Sequence, residues 1–120
     1  MQRFFRYAAV GAIATAVHYA LLVICVELGG WQAFIASGFG AVVGAQVAYF
    51  GNRWFTFAHR GAMGASWLRF QGTALVGAAF GMAVVATAVH LGWHYVLAQM
   101  LATALALLLT FAINRLWTFR

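Results

Sequence analysis

The 120-residue chain has no proline, no lysine, one cysteine and one acidic side chain. Its charge consists of seven arginines and Glu27, 7% of the residues, whereas 66% are apolar. An average soluble domain is about a quarter charged. A domain this small also exposes much surface for its volume, and so few charges with four histidines cannot wet it. Lipid is the expected solvent. Without lysine the chain has no P-loop and cannot by itself be an ordinary nucleotide-driven pump. A lone carboxylate and no nucleophile–base arrangement argue against an enzyme. Cys25 alone excludes an internal disulfide and a cysteine metal site. The net charge of +6 could signal nucleic acid, but the arginines lie between apolar runs, not in a polar patch. They read as membrane topology, with no nucleic-acid partner expected.

A bilayer core takes about 20 apolar residues of helix. Four such runs are present: Tyr7 to Leu28, Trp31 to Asn52, Trp67 to Leu91 and Tyr95 to Asn114. The expected fold is an all-α membrane protein of four transmembrane helices in a single domain, 1–120. The breaks fall at Gly29-Gly30, Gly61 to Ser66 and Gly92, where glycine can end a helix. Ser66 is the expected N-cap of the third helix. The first run exceeds the apolar stretch of a signal peptide and lacks a small-residue cleavage site, so it reads as a retained span.

Four crossings put the N-terminus, the Arg53 to Arg69 loop and the C-terminus on one side. That side carries Arg3, Arg6, Arg53, Arg60, Arg69, Arg115 and Arg120, every arginine in the chain. The positive-inside rule then predicts an inner-membrane, multi-pass protein with both termini cytoplasmic. Trp31, Trp54, Trp67, Trp93 and Trp117 fall at the span ends, as an aromatic belt requires.

Asn52-Arg53-Trp54-Phe55-Thr56-Phe57 closes the second span, and Asn114-Arg115-Leu116-Trp117-Thr118-Phe119 closes the fourth, 62 positions later. Arg6-Tyr7 and Arg69-Phe70 open the first and third, 63 positions apart. The unit is a two-helix hairpin used twice, about 1–58 and about 66–120. Two crossings per unit make this a parallel repeat about an axis along the membrane normal.

One arginine per helix (Arg6, Arg53, Arg69, Arg115) lies at the cytoplasmic end. Guanidinium groups bind phosphate through paired N–H donors, so the four could hold an anionic headgroup or simply snorkel to lipid phosphates. Asn52 and Asn114 beside two of them could bond a phosphate or sugar hydroxyl, or cap the helix ends. On the fourth span Gln99, Thr103, Ala106, Thr110 and Asn114 share a face about 60° wide. Subtracting 62 gives Ser37, Ala41, Gly44, Ala48 and Asn52 on the second span. The polar stripe serves either interhelical hydrogen bonding or a path for a polar headgroup, each unpaired hydroxyl costing a few kcal/mol (~2–7) in hydrocarbon. Gln46 and His18 complete the candidate groove. His18 is the one titratable nitrogen near mid-membrane and shares a face with Gly11, Thr15, Leu22 and Cys25. Gly40-x-x-x-Gly44 and Gly77-x-x-x-Gly81 predict close helix packing. His90 and His94 have helical ligand spacing, but Gly92 intervenes and no carboxylate or thiolate completes a set. No metal site and no cofactor are expected. Glu27 is expected at the outer interface.

The Arg-aromatic start followed by Val10-Gly11, with Asn-Arg-x-x-Thr-Phe endings after spans two and four, resembles the GtrA-like family over essentially the whole chain. The third span departs from the pattern, since Gln71-Gly72 follows Arg69-Phe70. The resemblance implies translocation of a polyprenyl-phosphate-linked sugar for cell-surface polysaccharide synthesis. It equally allows an anchor that recruits a membrane glycosyltransferase. Because four short helices pack around little free volume, the groove is expected on the bundle surface or at the interface of a homo-oligomer, a homodimer being the simplest. A small multidrug-type exporter is a further alternative. Those proteins place an essential Glu mid-membrane in the first span, where this chain has His18.

Overall fold

The structure is a computed structural model that describes residues 2–56, 64–113 and 116. Its elements are α1 (Gln2–Glu27), α2 (Ala33–Gly51), a π-helical turn (Asn52–Thr56), α3 (Gly64–His90) and α4 (Tyr95–Ile113). No strand occurs among the described residues. All four helices are long and apolar enough to cross a membrane. The 45 Å long axis matches a bilayer with its headgroups, about 40–45 Å. Leu28, Leu75, Leu108 and Phe111 are among many large apolar side chains left exposed, as suits a lipid-facing surface.

Both connections opposite the arginines turn at a glycine of positive φ. Gly30 and Gly92 adopt φ of 69° and 97°, which a side chain would resist. The Trp31 N–H donates to the Cys25 carbonyl and the Trp93 N–H to the Ala88 carbonyl, both at 3.0 Å. His94 caps α4, its Nδ1 accepting from the Val96 N–H at 3.2 Å.

Two boundaries differ from expectation. α1 begins at Gln2, before the apolar run, because nothing between Gln2 and Tyr7 breaks a helix. α3 is already helical at Gly64, so Ser66 lies within the first turn and not at the N-cap. α2 ends near Asn52 as expected. The Asn52 N–H still reaches the carbonyls of Ala48 and Tyr49, and the chain then continues into the π turn.

α1 packs on α2, α2 on α3 and α3 on α4, whereas α1 and α4 do not pack along their lengths. Small residues allow the close approaches. A Cβ on Gly40 would lie 2.7 Å from the His18 carbonyl oxygen, and one on Gly44 would lie 3.0 Å from that of Ala14. On the other pair, Gly77 faces Thr110 and Gly81 faces Ala102. A core of Val85, Ala88, Ala98 and Ala102 joins α3 to α4, with Ala33 and Phe34 of α2 packed against it.

Candidate functional site

The open arc of helices encloses a cleft of about 340 Å³, lined by all four. Its wall runs from Gly11 to His18 on α1, from Ala48 to Ser37 on α2, from Ala74 to Gly81 on α3 and from Thr110 to Gln99 on α4. The eleven steps from Gln99 to Thr110 on α4, at 1.5 Å rise each, make it about 16 Å long. One end lies about one turn inside Arg6, Asn52 and Arg69, and the other about one turn from the start of α4.

The lining residues pair off at the spacing of the sequence motifs. Gly11, Ala14, Thr15 and His18 have Ala74, Gly77, Ala78 and Gly81 63 positions later. Ser37, Ala41, Gly44, Ala45 and Ala48 have Gln99, Thr103, Ala106, Leu107 and Thr110 62 positions later. In nearly every pair one member is small, which leaves free volume between the helices.

Polar groups gather at the end remote from the arginines. The Ser37 hydroxyl donates to Gln99 Oε1, and both residues are buried. Gln99 Nε2 donates to Thr103 Oγ1 at 3.2 Å. The Tyr19 hydroxyl lies 2.8 Å from Thr103 Oγ1 and 3.3 Å from the Gln99 carbonyl, to which it donates. If Thr103 then donates to Tyr19, every hydroxyl proton in this ring is used once. The His18 imidazole sits beside Ser37 and Gln99. Its Nε2 is buried without a hydrogen-bond partner. That is the one cost left unmet in an otherwise satisfied cluster, since a buried unpaired nitrogen forfeits roughly 1–3 kcal/mol. Further along, the Thr110 hydroxyl donates to the Ala106 carbonyl at 2.8 Å.

His18, Gln99, Thr103 and Thr110 all line this cleft, along with Ser37, with Thr110 at the end nearer the arginines. Gln46 does not join them. It pairs reciprocally with Gln71 of α3 at 2.7 and 3.1 Å, and it donates to the Val42 carbonyl at 3.4 Å. Tyr19 is missing from the sequence-derived set, although a tyrosine hydroxyl at mid-span must find a partner. Its position next to His18 is the signal that could have found it.

At the opposite end Arg6 lies near the start of α1, Asn52 and Arg53 occupy the π-helical turn, and Arg69 lies in the third helix's early turns. The π turn packs against α1, and the Tyr49 and Phe70 rings meet at 5.2 Å, which holds the α2 end beside the α3 start. Arg6, Asn52, Arg53 and Arg69 each make an interaction within the protein. Asn114 and Arg115, the other two residues of the expected headgroup site, lie outside the described residues. Among the described residues no group of three or more His, Cys, Asp or Glu could hold a metal ion.

Four lipid-length helices around a cleft lined mostly by small residues, with a polar cluster toward one end and arginines at the other, define a multi-pass membrane protein. Residues 6–120 match the model of the family described as GtrA/DPMS, transmembrane domain, and the chain belongs to that family. No curated protein and no solved structure matches the chain.

Proposed function

We propose that this protein moves a polyprenyl-phosphate-linked sugar across the inner membrane, for synthesis of a cell-surface polysaccharide. Both termini would be cytoplasmic, which puts the arginine end where such lipids are made. The phosphate would be held by Arg6, Arg53, Arg69 and Arg115 with Asn52 and Asn114. The sugar would pass along the cleft while the lipid tail stays in the bilayer. The observation that carries this reading is the cleft itself: it runs from one turn inside the arginines to the Ser37–Gln99 pair. His18 Nε2 lies buried beside that pair without a hydrogen-bond partner, so it would bond a passing hydroxyl only as the cargo parts the side chains that cover it. The paired lining supports two hairpins used as a parallel repeat around one shared path.

The protein performs no bond chemistry in this scheme and needs no cofactor. Net direction would come from consumption of the lipid-linked sugar on the far side by a membrane glycosyltransferase. The test is reconstitution of the purified protein, alone, into liposomes containing a labelled polyprenyl-phosphate sugar. Acceleration of transbilayer movement over protein-free liposomes is the expected result. No acceleration, with co-purification of a transferase, would assign the protein as that enzyme's anchor instead.

A further inference from the structure

The two hairpins meet along one packed seam, α2 against α3, while α1 and α4 do not pack along their lengths. Gln46 and Gln71 clasp the packed seam. The positions 62 after Gln46 and 63 before Gln71 are Leu108 and Ala8, two exposed apolar residues that cannot form that clasp. Met82 of α3 seats its sulfur against the face of Gly38 on α2. The residue 63 positions before Met82 is Tyr19, which reaches α4 through hydrogen bonds to Thr103 and Gln99. At the end remote from the arginines, Glu27 of α1 also lies beside the Tyr95 hydroxyl of α4. The α1–α4 seam is thus joined by polar contacts in its upper half and lacks the packing that closes α2–α3.

We propose that the α1–α4 seam is the lateral portal of the cleft, with Tyr19 as its latch. A headgroup tethered to a bilayer-resident chain cannot use an end-on pore, because the tether must trail through a side opening into the hydrocarbon. The occupant of the seam is therefore the apolar chain of a lipid whose polar head lies in the cleft. This rests on the translocation reading and adds where the lipid is admitted and which residue gates it. A hydrogen-bonded latch suits the task, since it costs little to break yet reforms behind the cargo.

The experiment uses a single-cysteine reporter inside the cleft, Ala78→Cys on a Cys25→Ala background, in phosphatidylcholine vesicles doped with maleimide-headgroup phosphatidylethanolamine. Ala78 is buried and lines the cleft. The lipid-tethered maleimide is expected to label the reporter. Thr103→Val, which removes one interhelical hydrogen bond, is expected to speed labelling about threefold, and independently Tyr19→Phe, which removes two, about eightfold. Loosening the other seam with Gln46→Leu and Gln71→Leu together is expected to leave the rate unchanged. A rate unmoved by either latch variant, or raised by opening α2–α3, overturns the proposal. So does a reporter reached only by water-soluble maleimide. If labelling follows Tyr19 but the sugar lipid does not cross liposomes containing the wild-type protein, the portal stands and the translocation reading fails.

Discussion

Ser37 and Gln99 donate and accept one hydrogen bond across the cleft although 62 residues separate them. The bond joins the second helix to the fourth, which otherwise make little backbone contact. Gln99 also holds Thr103, and Tyr19 bonds to both residues. Through its side-chain amide and its backbone carbonyl, Gln99 therefore ties together polar groups from three helices, in a region where water is scarce and an unpaired group is costly.

Gln99→Leu should strip Ser37 and Thr103 of their partner together. The Ser37 bond is interhelical, and such bonds in membranes average about 0.6 kcal/mol; the Thr103 bond lies within α4, so a loss of about 1 kcal/mol is expected. Unfolding in mixed detergent micelles measures it. Gln99→Glu keeps the Ser37 acceptor and should recover part of the loss.

Gly40→Ala should separate α1 from α2, because its Cβ would lie 2.7 Å from the His18 backbone oxygen, which cannot move alone. A destabilisation of about 1–3 kcal/mol is expected. Gly11→Ala, with nothing within 4 Å of the added carbon, should be neutral or slightly stabilising. Thermal denaturation of the two variants in one detergent makes the comparison.

How much of this arrangement could be read in advance depends on what decided each feature. The four spans follow from run length. The α4 stripe follows from helical spacing, and Ser37 emerges from it by subtracting the motif offset. Gln46 shows the limit: its polarity suggested the groove, but packing turned it toward Gln71 on α3. A side chain's azimuth relative to a neighbouring helix is a tertiary fact that one helix's periodicity does not contain. The unequal seams, and with them the importance of Tyr19, were hidden for the same reason. The π turn after Gly51 has no sequence mark beyond the Asn52-Arg53 motif that it carries.

Arg53→Ala with Arg115→Ala should weaken binding of a polyprenyl phosphate at least about tenfold, since hydrogen bonds to a charged group contribute about 1.5–3 kcal/mol. Five arginines remain to orient the chain, so cysteine accessibility at both faces should be unchanged. Native mass spectrometry with the lipid titrated into detergent-solubilised protein reads the affinity. Equal binding by variant and wild type would reduce the two arginines to interfacial anchors.

His18→Leu should remove the buried, unpartnered imidazole nitrogen and slow passage of the sugar headgroup about tenfold, as expected for a hydrogen bond made only in transit. Binding of the phosphate lipid at the arginine end, several turns away along α1, should not change. Paired transport and binding assays on this variant separate the two stations.

The most direct measurement is transbilayer movement of a labelled polyprenyl-phosphate sugar in liposomes carrying Ala106→Trp beside wild type. Ala106 lines the cleft midway along α4, and an indole there fills the path without touching the arginines. If the cleft is the route, wild-type protein accelerates movement and the Trp variant, still helical and still binding the phosphate lipid, falls to the protein-free rate. Equal acceleration by a folded Trp variant would show that the sugar does not travel through the cleft.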